Sequence, residues 1–127
     1  MREILFRGKS KSINKGEWIY GSFVEDTDLN ACCIRDKSLV YELVDRETVG
    51  QYTGLTDKNG KKIFEGDIVH GYWNTKFLIF FDLCCLQFRA KLSDGTEKDI
   101  DYYGDSKKIE VIGNIYDNPE LLRSENG

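Results

Sequence analysis

The chain has 127 residues, 40% hydrophobic and 31% charged, which is an ordinary globular composition and too short for two large independent cores. Its formal net charge of −4 excludes a global electrostatic pull towards nucleic acid or anionic lipid. The charge is uneven: residues 1–64 carry 11 basic and 10 acidic side chains, net +1, and residues 65–127 carry 7 and 12, net −5, so any nucleic-acid surface is expected in the first half.

A single proline argues against a disordered Pro-rich linker, and 13% aromatic residues favour β-structure. Met1-Arg2-Glu3 leads into a strand-like run rather than a secretory leader. The longest apolar-rich run, Phe77 to Phe88, is broken by Asp82 and falls short of the ~20 residues of a membrane helix. The expectation is a cytoplasmic protein with no membrane partner.

In chain order, "REILFRG" (2–8) reads as a strand and "WIYGSFVED" (18–26) as its hairpin partner across a polar loop. "DTDLNACCIRDKS" (26–38) stays ambiguous between loop, helical turn and strand. "LVYELVD" (39–45) reads as a strand and "DRETV" as one helical turn capped by Asp45. Asn59-Gly60 predicts a two-residue type I′ hairpin between "GLTDK" and "KKIFEGDIV". Beyond "HGYW" and the turn-like "NTK", residues 77–92 suit one long bent strand or two short ones. Asp94-Gly95 marks a second hairpin, and "KIEVIGNIYD" (108–117) is the last strand. "NPELLRSE" reads as a short C-terminal helix, with Asn118 as cap and Pro119 at its first position.

About eight short strands punctuated by Gly, Asn and Asp predict a mainly β fold of short antiparallel strands, with an SH3-like small barrel in the second half. One domain is expected over 1–122, with sub-lobes 1–58 and 59–122, then a flexible tail at 123–127.

The stretch Thr48–Val69, rich in glycine, lysine and acids, has the look of a ligand loop. Gly54 to Gly60-Lys61-Lys62 fails as a phosphate loop: the spacing is one residue too long and Lys62 replaces the required hydroxyl. As a calcium loop beginning at Asp57, it puts Lys61 where a ligand belongs and Lys62 where the glycine belongs. A hairpin with lysines beside its turn explains it.

Glu97, Asp99 and Asp101 alternate, so on a strand they share one face, either for a divalent cation or as a solvated row that deters edge pairing. His70 is the only histidine, and no nucleophile-elbow motif accompanies it; a pair with Cys32 or Cys85 has no local support. The adjacent pairs Cys32-Cys33 and Cys84-Cys85 lack the usual zinc spacing. They are expected to be reduced thiols with one of each pair buried. No catalytic, cofactor or metal residue is assigned.

"FRGKSKSINKGEWIYG" interleaves Arg7, Lys9, Lys11 and Lys15 with Phe6, Trp18 and Tyr20. Cations track phosphates and aromatics stack on bases, so Arg7, Lys9, Lys11, Lys15, Trp18 and Tyr20 are the candidate nucleic-acid contacts.

Together, "REILFRG", "GEWIYGSF", "ETVGQYTGLTDKNGKKIFEGDIV" and "IEVIGNIYDNPELL" resemble the YopX family of phage and prophage proteins, over Arg2 to Leu122. The resemblance implies a small protein encoded by a phage or prophage of a Gram-positive host, mostly β and able to form a homo-oligomer. It supplies no activity, and Gly54, Gly66, Asp67 and Gly113 are motif positions without an assigned role. The leading expectation is a non-enzymatic accessory protein working by protein–protein contact or self-assembly. The alternative is a nucleic-acid-binding module.

Overall fold

The computed structural model describes residues 3–71, 74–103 and 108–123. The chain forms two compact units, Met1–Tyr52 and Thr53–Gly127.

The first unit is an antiparallel sheet of β1 (Phe6–Lys9), β2 (Trp18–Asp26), β3 (Ala31–Arg35), β4 (Tyr41–Val44) and the start of β5 (Gly50–Thr56), ordered β4-β3-β2-β1-β5. The segment left ambiguous at 26–38 thus supplies β3, with its β-turn before it. Period-two alternation sends Phe6, Ile19, Phe23, Cys32, Ile34 and Val44 to one face, where they form the unit's apolar cluster with Val49. The Phe6 and Phe23 rings pack 5.7 Å apart. Gly21 lies on that face because β2 and β3 meet there: a Cβ would strike the backbone carbonyl of Arg35.

β4 curls back to the chain just after β1. Lys11 N donates to Leu43 O and Asp45 N to Lys9 O, both at 2.8 Å, around a single Ser10↔Val44 bridge. The 3-10 turn Arg46–Thr48 follows, with Asp45 accepting from Glu47 N as expected of its cap.

In the second unit, β5 runs on beside β6 (Lys62–Phe64). The hairpin is present, but its turn is not type I′. Asn59 is absent from the residues with positive φ, whereas Gly60 has φ +79°. Gly60 N donates to Asp57 O and Asp57 N to Lys61 O, which is a type I turn followed by a left-handed glycine. The cause is Asp57, whose Oδ1 accepts from Asn59 N and Lys61 N and so winds the turn one residue longer. Leu92 to Thr96 repeats the arrangement, with Gly95 left-handed.

The remaining strands are β7 (Asp67–His70), β8 (Lys76–Asp82), β9 (Gln87–Lys91), β10 (Glu97–Asp99) and β11 (Glu110–Asn114), ordered β10-β9-β8-β7-β11 and all antiparallel. Residues 77–92 are therefore two strands joined by a tight turn. Ile63, Val69, Phe77, Ile79, Ala90, Ile100 and Ile109 form the core. Burying a ring such as Phe77 completely contributes about 1.5–3 kcal/mol.

Two expectations are corrected. The sheet is open: β10 and β11 are its two edges, and among the described residues no ladder joins them into an SH3-like barrel. β10 has only three residues before the chain turns into the 3-10 segment Ile100–Tyr103, so the sheet ends there. The C-terminal helix is only a 3-10 turn, Pro119–Leu122. Asn118 makes no side-chain cap bond there; its Oδ1 instead accepts from Asn114 N, and four residues cannot sustain an α-helix. Of the tail expected at 123–127, residues 124–127 lie outside the described residues, as do Tyr72 and Trp73 of "HGYW". Among the described residues, no helix is long and apolar enough to cross a membrane.

Candidate functional site

The face of the first sheet opposite its apolar cluster brings the basic and aromatic residues together. Lys9 pairs with Trp18 and Arg7 with Tyr20 across β1 and β2, so all four share that face. The Arg7 guanidinium carbon stands 4.5 Å from the centre of the Trp18 ring, and Lys9 Nζ 5.6 Å from it. Arg7 is only 4% exposed, so its charge serves the Trp18 stack and is not offered to a phosphate. Lys9 and Trp18 are half-buried, while Tyr20 is exposed.

Lys11 and Lys15 are exposed on the loop between the strands. A carboxylate clamps that loop: buried Glu42 accepts from Asn14 N at 2.9 Å and from Asn14 Nδ2 at 3.0 Å. The Ser10 hydroxyl, then Asn14, hold the Glu42 carboxyl below the usual carboxylate range against the opposing effect of burial.

Three further members of this face, Arg35, Tyr41 and Leu43, escaped the sequence reading. Arg35 on β3 lies across from Ser22 on β2 and from Tyr41 on β4. Tyr41 is 54% exposed and Leu43, two residues on, is 42% exposed. The alternation in "YELV" marks Tyr41 and Leu43 as one face, but only the register between strands shows that Arg35 and Tyr20 belong to it.

The acidic row divides. Glu97 and Asp99 lie on edge strand β10, but Asp101 falls in the 3-10 turn, so the three do not share a strand face. Arg89 answers their charge: its Nη1 is 3.3 Å from Asp82 and 3.9 Å from Glu97, and its Nε is 3.4 Å from Asp99. Among the described residues no group of three His, Cys, Asp or Glu side chains is placed to hold a metal ion.

Cys32 is buried and Cys33 half-buried, as expected of neighbours on a strand. Cys84 and Cys85 are both exposed, contrary to expectation, because they occupy the β8–β9 turn, where alternation does not apply. Asp82 Oδ1 accepts from Cys84 N and Cys85 N there. Partial desolvation and then the Asp82 charge push the Cys85 thiol up, away from a reactive thiolate. His70 Nε2 is 2.7 Å from Asn74 Oδ1.

An open cleft of about 300 Å³ in the second unit is lined by Thr75, Lys76, Leu92, Ser93, Leu121 and Arg123 among others. Among the described residues no acid, histidine or cysteine lines it. The motif positions are structural: Gly54 and Gly66 are left-handed, Asp67 accepts from Phe64 N at 2.7 Å, and Gly113 sits at a register shift between β11 and β7.

These features define a two-unit, mainly β protein of antiparallel meanders, bearing a cation–aromatic face and, among the described residues, no convergent catalytic set. The chain belongs to the YopX protein family, whose model matches residues 5–123, nearly its whole length. It is similar in structure to protein EF1440 from Enterococcus faecalis, with a TM-score of 0.60 and 24% identity, over 97% of this chain and 100% of that one. That likeness concerns the fold. No curated protein matches the chain.

Proposed function

We propose that this protein is a non-enzymatic accessory protein of phage or prophage origin that acts by protein–protein contact, with a second copy of itself as a partner. One observation carries the contact reading. Leu39 and Leu86 both stand in the left-handed region, at φ +64° and +55°, while 68% and 74% exposed. A left-handed backbone costs a side-chain-bearing residue about 1–2 kcal/mol and is normally given to Gly, Asn or Asp. The other described non-glycine residues with positive φ are Asn30 and Asn74, which follow that rule. A leucine that accepts this strain while burying little within its own chain has an apolar side chain presented to something else. Leu86 shares its turn with Leu83, which is 79% exposed, and Leu39 leads into exposed Val40 and Tyr41.

Family membership supports the phage or prophage origin through the resemblance of the motifs. Size-exclusion chromatography with light scattering tests the self-contact. The mass should rise above that of a monomer at high micromolar concentration and return to it in the Leu39→Gly and Leu86→Gly double variant. A wild-type monomer throughout that range overturns the self-assembly.

A further inference from the structure

We infer that the cleft between the start of β8, the β9–β10 turn and the C-terminal 3-10 turn binds a small oxyanion, a phosphate monoester or a carboxylate, that carries a short apolar body. Lys76 and Arg123 take the charged head, Thr75 and Ser93 donate to it, and Leu92 and Leu121 cover the apolar part. The site lies within the second unit and shares no residue with the leucine tips, so it goes beyond the proposed contact.

Each wall of the cleft is anchored separately. Phe77 is fully buried in the core, so Lys76 before it on β8 points to the opposite face of the sheet. Lys76 pairs with His70 across β7 and β8; His70 Nε2 is 2.7 Å from Asn74 Oδ1, and Gly71 N donates to Thr75 O at 2.8 Å. Those bonds hold the strand end that carries Thr75 and Lys76. Leu92 N donates to Thr96 O, which closes the turn that carries Ser93. The 3-10 turn is seated on β11: a Cβ on Gly113 would stand 2.9 Å from Leu121 Cδ1, and Asn118 Oδ1 accepts from Asn114 N. The cleft between them, about 300 Å³, is at the lower end of the size of small-molecule sites.

The groups that converge there point to an anion. Among the described residues, Lys76 and Arg123 form no ion pair, and the hydroxyls of Thr75 and Ser93 make no hydrogen bond. Two like charges on one cleft repel each other, and an anion between them removes that cost. An arginine fork, an ammonium and two hydroxyl donors match the several lone pairs of a phosphate or carboxylate. The acids on the bordering elements are engaged or set aside. Asp94 accepts from Thr96 N in its own turn, Glu97 faces Arg89 and Lys91, Glu110 accepts from Asn59 Nδ2 and Asp117 from Asn114 Nδ2. Glu120, exposed on the 3-10 turn, makes no ion pair with Arg123. Asp105 and Glu125 lie outside the described residues. The leucines add the second half of the ligand: Leu92 and Leu121 stay in contact with water beside a bare inorganic ion, whereas a chain of a few carbons covers them.

The test is an NMR titration of the full chain with butyl phosphate, butyrate, inorganic phosphate and butylammonium, read at the backbone amides of Thr75, Lys76, Ser93 and Arg123. Butyl phosphate and butyrate should give saturable shifts there, the tighter of the two with a Kd of about 1 mM, which identifies the preferred head group. Inorganic phosphate should bind roughly tenfold more weakly than butyl phosphate, having no carbons to cover the leucines. Butylammonium should leave these amides unmoved. Lys76→Met and Arg123→Met should each weaken butyl phosphate about tenfold, as loss of a charge-assisted hydrogen bond does. Lys76→Arg should retain binding, and Lys58→Met, on the exposed hairpin turn, should not change it. The same spectra report whether each variant is folded. No saturable shift with any of the three anions overturns the inference. So does equal weakening by Lys58→Met, which would indicate general charge attraction, and so does inorganic phosphate binding as tightly as butyl phosphate, which would leave the leucines no part. Because these shifts are read residue by residue and not from chain mass, failure here leaves the self-contact standing, and the converse.

Discussion

Asp57 Oδ2 accepts a hydrogen bond from Val111 N at 3.0 Å, so a hairpin turn and a strand 54 residues further on share one buried carboxylate. Its Oδ1 is occupied by Asn59 N and Lys61 N, and Lys58 N reaches Ile109 O beside it. Asp57 is 2% exposed, and removing it leaves three backbone donors without their acceptor. Asp57→Ala should therefore destabilise the second unit by about 2–4 kcal/mol in urea unfolding. A loss under about 0.5 kcal/mol would mean that solvent replaces all three bonds.

The same residue sets a pH dependence. Burial works against its charge, but the N–H groups of Val111, Lys61 and Asn59, with the nearby Lys61 ammonium, outweigh it and hold the carboxyl below the usual range. A carboxylate depressed in the folded state contributes stability that is fully present above its unfolded pKa of about 3.9 and is lost as pH falls through the lower folded value. Denaturant midpoints of wild type should thus decline on acidification below about pH 4, more steeply than those of Asp57→Asn. Parallel declines in the two proteins would assign the acid sensitivity to other carboxylates.

This buried carboxylate also shows what the sequence exposes and what it hides. Local patterns were readable: "WIYGSFVED" became β2 at those same bounds, and Asp45 caps the turn expected after β4. The hairpin at Asn59-Gly60 was readable, but its turn type was not, because Asp57 competes from two residues upstream for the backbone N–H groups. The barrel was overcalled since closure depends on whether two edge strands meet, and neither β10 nor β11 carries a sign of that. Arg7 looked like a phosphate contact because its burial is set by Trp18 eleven residues away. Arg35 and Tyr41 were missed for the converse reason: their shared face follows from register, which is non-local.

The turn correction gives its own test. In a type I′ turn, alanine at either central position would meet left-handed strain. Here only Gly60 is left-handed. Gly60→Ala should cost about 1 kcal/mol, and Asn59→Ala no more than about 0.5 kcal/mol from its exposed bond to Glu110. Equal costs at the two positions would restore the type I′ turn.

Gly21 predicts a larger penalty. The obstacle to a Cβ there is the carbonyl oxygen of Arg35, a backbone atom fixed by the β2–β3 ladder, so no side chain can rotate away. Gly21→Ala should destabilise the first unit by about 3 kcal/mol or more. Normal stability in that variant, measured by thermal unfolding, would mean that the two strands can separate locally at no cost.

Leu39 and Leu86 lead to the opposite sign. Glycine relieves the left-handed strain at each site, and the leucine side chains lose little burial, being 68% and 74% exposed. The gain is offset in part by the extra entropy of glycine in the unfolded chain. Each substitution should therefore leave the dilute monomer as stable as wild type or better by up to about 1 kcal/mol, a rise of roughly 3–5 °C in Tm. The same variants should weaken self-association, since the strained side chains are the ones presented outwards. A substitution that lowers Tm in dilute solution would show that the leucine packs within its own chain. That result would remove the physical reason for reading these turns as contacts.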